Sequence, residues 1–82
     1  MGFRFSSHAE EELMERGIPK AIVLSVLEDP EKVLPAKNGR SAYQSRVDIN
    51  GKIYIVRIIV EPDGTVVTGY RTSKLEKYWS EE

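Results

Sequence analysis

The stretch Ala42-Tyr43-Gln44-Ser45-Arg46-Val47-Asp48-Ile49-Asn50-Gly51-Lys52-Ile53-Tyr54-Ile55-Val56-Arg57-Ile58-Ile59-Val60 decides the fold. Two runs rich in β-branched and aromatic residues flank Asn50-Gly51, the strongest short hairpin signal there is. A two-residue turn also sets the register: Ile49 faces Lys52, Val47 faces Tyr54, Arg46 faces Ile55 and Gln44 faces Arg57. Alternation along the strands then sorts the side chains. One face carries Tyr43, Ser45, Val47, Tyr54, Val56, Ile58 and Val60. The other carries Gln44, Arg46, Asp48, Ile53, Ile55, Arg57 and Ile59. The first is apolar and is expected to meet helices. The second is mixed.

Working outward, Glu61-Pro62-Asp63-Gly64 is a turn and Thr65 to Arg71 the next strand. A two- or four-residue loop here places Thr68 and Tyr70 on the Arg57 face; a bulged three-residue loop reverses the parity. On the other side, Lys32 to Pro35 is a short strand and Ala36 to Arg40 a loop. Two helices precede them. Ser7 with Glu10 forms a capping box, and the helix ends at Gly17 after Arg16. Its apolar stripe is Ala9, Leu13 and Met14. A second helix begins at Ile18-Pro19, with Pro19 as its first residue, and stops at Glu28, before Asp29-Pro30. Its centre, Ala21 to Leu27, is apolar on nearly every side, so it reads either as a helix between layers or as one covered by a partner. Phe3 and Phe5 in the lead-in segment either add an edge strand or cap the core. Ser73 with Glu76 is a further capping box, opening a short C-terminal helix through Trp79. The expected fold is α+β, with two N-terminal helices on one face of a four-stranded antiparallel sheet and a short C-terminal helix.

The chain has 82 residues, which predicts one domain over residues 1–82. Hydrophobic residues are 40% and charged residues 30%, a globular rather than a disordered composition. Cysteine is absent, which excludes a disulfide framework and a thiolate nucleophile, and with a single histidine no histidine-based metal site is expected. No apolar run reaches the roughly 18 residues of a membrane span, and the expected location is the cytoplasm. Acids and bases nearly cancel at a net charge of −1, so any nucleic-acid surface must be local.

Arg57 is a guanidinium in a strand otherwise made of Ile, Tyr and Val. It reads either as an arginine snorkelling at the sheet edge or paired with Asp48, or as an anion-binding fork that matches a phosphate. Arg46, Thr68 and Tyr70 share its face. His8, in the first helical turn, is a surface side chain, or else a general acid or base or a phosphate contact. Glu10, Glu11 and Glu12 point in different directions on a helix, so a solvated acidic face is expected rather than a metal site. Glu12 and Arg16 are spaced for an ion pair. The segment from Tyr70 to Lys74 lies where a strand passes into a helix, a junction that either binds an anion or is an ordinary cap with surface bases. Lys37 and Arg40 are expected to be solvated loop charges. Tyr78 and Trp79 either stack on a base or staple the last helix to the core.

Ser6-Ser7-His8, Arg16-Gly17-Ile18 and Val67-Thr68-Gly69-Tyr70 together form a pattern. It resembles the domain of unknown function numbered 4258, small proteins related to RelE/ParE-like toxins. The segment Arg71 to Tyr78 is similar to the tail of BrnT-type toxins, so the resemblance spans Phe5 to Tyr78. It implies a RelE-like fold and a metal-independent endoribonuclease, neutralised by an antitoxin protein, in which the ribose 2′-hydroxyl attacks the adjacent phosphate. Carried over, it points to His8, Arg46, Arg57 and Tyr70 as catalytic and to Arg71, Lys74 and Thr68 as substrate-binding. No cofactor or metal is implied, and RNA is the implied substrate. The alternative is a non-catalytic binding module of the same fold, engaging a partner protein or a second copy through its apolar second helix.

Overall fold

The computed structural model describes residues 2–75. The element order is β1 (Arg4–Phe5), α1 (Ser7–Glu15), α2 (Lys20–Glu28), β2 (Lys32–Pro35), a 3-10 turn (Lys37–Gly39), β3 (Ser41–Ile49), β4 (Lys52–Val60) and β5 (Thr65–Thr72). The strands form one five-stranded sheet in the order β1-β5-β4-β3-β2. The sheet is mixed: β1 pairs with β5 in parallel, and every other pairing is antiparallel. The expectation of four antiparallel strands is therefore corrected. A two-residue strand has no period to read. It forms because Phe3 and Phe5 pack against the core while the Arg4 N–H donates to the Gly64 carbonyl at 2.9 Å. β5 ends at Thr72, where the Thr72 hydroxyl accepts the Lys74 N–H, and of the expected C-terminal helix only Leu75, in helical conformation, falls within the described residues. The rest of that expected helix, with Tyr78 and Trp79, lies outside the described residues.

The β3–β4 register is the one the Asn50-Gly51 turn dictates, with Gln44 opposite Arg57 and Val47 opposite Tyr54. Asn50 and Gly51 both take positive φ, 54° and 86°, as a type I′ turn requires. The β4–β5 connection is less direct. Glu61 donates to Thr65 and Gly64 to Glu61, so the loop is the three-residue kind. Alone it would turn Thr68 and Tyr70 to the other face. A second offset cancels it: Val60 pairs with Val66 but Ile59 with Thr68, leaving Val67 as an extra residue in β5. Tyr70 consequently stands opposite Arg57.

Two caps differ from expectation by one residue. Ser6, in extended conformation, caps α1 by accepting the Ala9 N–H at 3.0 Å, so Glu10 is not placed to complete a box. Pro19 is the N-cap of α2 rather than its first turn, its carbonyl accepting from Ile22 and Val23. Between the helices, Gly17 at φ 75° closes α1 in a Schellman motif, with Ile18 donating to Leu13 and Gly17 to Met14.

The two helices cover the apolar face. Ala9 and Leu13 of α1, Ile18, and Val23, Val26 and Leu27 of α2 form one core with Ile49, Val56, Ile58, Val60 and Val66. Ile22 is half-buried, and Leu24 is left 37% exposed. No described helix is long and apolar enough to cross a membrane.

Gly69 is where α1 comes closest to the sheet. A Cβ there would lie 2.8 Å from Ile58 Cδ1, 2.8 Å from Leu13 Cδ2 and 3.1 Å from the Arg57 carbonyl oxygen. Gly69→Ala should therefore destabilise the protein by about 1–3 kcal/mol, the usual range for overpacking a core. Thermal unfolding checks this; an unchanged melting temperature would mean that α1 does not press on the strand.

Candidate functional site

The face opposite the helices carries a polar row across four strands. Lys32 of β2 pairs with Gln44 of β3, Gln44 with Arg57 of β4, and Arg57 with Tyr70 of β5. Directly opposed residues in a sheet share a face, so these four side chains stand side by side. Around them Ala42 and Ile55 are fully buried, and Lys32, Arg57 and Tyr70 are half-buried.

Several cations of the described chain are held by carboxylates. Arg4 holds Asp63 at 2.9 Å, Lys20 holds Glu10 at 3.2 Å, Arg16 holds Glu12 at 3.3 Å and Arg40 holds Glu61 at 3.0 Å. Arg46 and Glu31 form a two-pronged pair, Nε to Oε1 and Nη2 to Oε2, both at 3.2 Å. The Arg46 N–H adds a third bond to Glu31 at 2.8 Å. Arg57 forms no ion pair or side-chain hydrogen bond among the described residues, and its buried Nε has no partner. Asp48, the carboxylate that one reading of the sequence paired with it, accepts the Gly51 N–H at 2.8 Å and ties the hairpin turn. Beside Arg57, the fully buried Gln44 has both amide atoms unpartnered.

The structure thus brings Arg57 and Tyr70 together and adds Lys32 and Gln44, but it disperses the other candidates. Arg46 shares the face, with its fork occupied by Glu31. Thr68 has the expected parity, yet its hydroxyl bonds Glu12 and accepts from Arg16 at 3.2 Å, at the open edge of β5. Arg16 also donates to the Gly69 carbonyl at 2.7 Å, so it ties α1 to that edge. His8 is 80% exposed and lies 3.8 Å from Glu12; it belongs to this edge cluster. Arg71 pairs with Val56 on the helix-bearing face, where its guanidinium stacks on the Tyr54 ring at 4.5 Å and lies beside Gly17. Lys74 is exposed beyond the end of β5. Sequence reasoning missed Lys32 because the β2–β3 register depends on the Ala36 to Arg40 loop, which has no standard turn signal. Gln44 was placed on the right face, but its lack of partners shows only in three dimensions.

On the helix side, an apolar hollow is lined by Phe5, Leu13, Met14, Ile18 and Val23, with Glu10 and Lys20 at its rim. Its charged groups neutralise each other. Among the described residues, no three His, Cys, Asp or Glu side chains gather where a metal ion could sit.

Two helices on one face of a five-stranded mixed sheet, with a polar row on the other, define an α+β protein. The chain belongs to the DUF4258 family, a domain of unknown function whose family model matches residues 5–71. Comparison with curated proteins and with solved structures returns no match.

The edge cluster makes stability depend on pH. The Thr68 hydroxyl, then the charges of Arg16 and His8, hold the Glu12 carboxyl below the ordinary glutamate range. Glu31 is lowered likewise, chiefly by its bonds to Arg46. A folded-state value below the unfolded one stabilises at pH above the unfolded value, about 4.3, and the gain is lost as pH falls through the folded value. Thr68→Val should therefore flatten the acid limb of the stability curve, read as urea midpoints between about pH 6 and pH 3. An acid limb as steep as in the parent would show that the Thr68 bond is not its source.

Proposed function

We propose that the chain is an RNA-binding protein of the RelE-like type, which holds a phosphodiester on the open sheet face and cleaves it by 2′-hydroxyl attack. One observation carries this reading: Arg57 is a half-buried guanidinium with an orphaned Nε, whereas Arg46 on the same face is held by Glu31. Such a fork is poised for a phosphate, because binding breaks no existing ion pair. Tyr70, its direct cross-strand neighbour, supplies a phenol for proton transfer and a ring on which a base can stack. Lys32 adds positive charge two strands away.

In this reaction the 2′-oxygen bonds to phosphorus and its proton passes to water. The bond from phosphorus to the 5′-oxygen breaks, Tyr70 gives that oxygen a proton, and a 2′,3′-cyclic phosphate remains. Arg57 stabilises the charge that builds on the phosphoryl oxygens. His8 and Arg71 take no part, being held by the edge cluster and by the opposite face. An antitoxin protein that neutralises the activity belongs to the same reading.

The test is induced expression in a bacterial host, with growth and total RNA followed together. The parent should arrest growth and cleave RNA. Arg57→Ala and Tyr70→Phe should each slow cleavage about a hundredfold, the usual cost of losing a transition-state charge partner or a proton donor. Intact RNA with the parent protein would sink the ribonuclease reading.

A further inference from the structure

We propose that Asn38 is a site of spontaneous deamidation, and that Asn50, which glycine also follows, is shielded from the same reaction by Asp48. The reaction needs only this chain and water. The backbone nitrogen of the following residue loses its proton and attacks the side-chain carbonyl carbon of the asparagine. A C–N bond forms, ammonia leaves, and a succinimide ring remains. Water then opens that ring at either carbonyl, giving aspartate or its isomer with the backbone routed through the side chain. Glycine in the second place favours ring closure, because no Cβ stands in the way. The chain has this pair twice, Asn38-Gly39 and Asn50-Gly51, and these are its only asparagines. All four residues are exposed, and both asparagines lie in the left-handed region, at φ 62° and 54°.

What separates the two is the surroundings of the attacking nitrogen. The Gly51 N–H donates to the Asp48 carboxylate at 2.8 Å. Removing its proton would break a hydrogen bond to a charged group and set a second negative charge beside the first. The turn is also clamped, since Ile49 pairs with Lys52 at the head of two nine-residue strands. Bringing the nitrogen onto the side-chain carbon requires this end of the hairpin to open. Asn38 instead lies in a lone 3-10 turn, Lys37–Gly39, in the loop between β2 and β3. The loop is closed by its own backbone, with the Arg40 N–H donating to the Lys37 carbonyl at 3.2 Å and the Ala36 N–H to the Arg40 carbonyl at 2.8 Å. Hydrogen bonds in so short a 3-10 turn have poor geometry and yield easily. The charges flanking Asn38 are the cations Lys37 and Arg40, and the nearby Glu61 carboxylate is held by Arg40 at 3.0 Å. Positive charge beside the Gly39 nitrogen favours the deprotonated form that attacks.

The test incubates the full folded chain in mildly alkaline buffer made with heavy-oxygen water, digests it, and follows each asparagine peptide by mass spectrometry. Conversion at Asn38 should outrun that at Asn50 about tenfold, the size of one hydrogen bond to a charged group. The same chain held in denaturant should convert both at similar rates, so that the fold and not the local sequence sets the difference. Asp48→Ala should raise the rate at Asn50 and leave Asn38 as it was. Asp48→Asn keeps an acceptor without the charge and so loosens the hairpin least; its rate at Asn50 should fall between the other two. Comparable rates at both sites in the folded parent overturn the proposal for Asn38. A difference that persists unchanged in denaturant overturns it too, since sequence alone would then explain it. Protection of Asn50 that survives both Asp48 variants overturns the role of Asp48 and assigns the protection to strand pairing.

Discussion

Everything on the face opposite the helices depends on the register of one hairpin. A slip of one residue at Asn50-Gly51 would turn Gln44 and Arg57 into the helix layer and push Val56 and Ile58 out to solvent. The slip is resisted at two points. The type I′ turn needs two residues that tolerate positive φ, and Asn50 and Gly51 fill those places. Asp48 then accepts the Gly51 N–H and ties the turn to its own strand. The second hairpin reaches the same alignment differently, by a three-residue loop and an extra residue, Val67, that cancel in parity. Both connections had to be right for Arg57 to stand between Gln44 and Tyr70.

The two faces follow different rules. On the helix side, residues are chosen for packing, and even the cation there, Arg71, lies flat on an aromatic ring. On the other side, the Gln44 amide and the Arg57 Nε sit among buried apolar side chains without hydrogen-bond partners. Each unpaired buried group costs about 1–3 kcal/mol. For an 82-residue chain, whose whole stability is of the order of 5–10 kcal/mol, that is a large fraction. A strand that needed only to fold would place Leu or Val at position 44.

What was legible in the sequence followed from local chemistry. The central hairpin, its register and its two faces could be read because Asn50-Gly51 leaves little choice of turn. The helices were legible from Ser, Pro and Gly punctuation, with the caps displaced by one residue. β1 was not legible as a pairing, since two residues carry no period and their partner lies some sixty positions away. The site was half legible. Face parity placed Arg57, Tyr70 and Arg46 together, but no spacing rule foretells that Glu31 occupies Arg46 or that Glu12 and Arg16 capture the Thr68 hydroxyl. Those pairings cross from loop to strand and from helix to strand, and only the packed structure decides them.

The near-neutral charge of the chain becomes intelligible once the pairs are assigned. A protein that grips a long polyanion along its backbone exposes many free cations, and its affinity collapses with salt in proportion to the phosphates it neutralises. Here Arg4, Arg16, Lys20, Arg40 and Arg46 each have a carboxylate partner. These pairs tie loop to strand and helix to helix, so much of the chain's charge serves to hold the fold together.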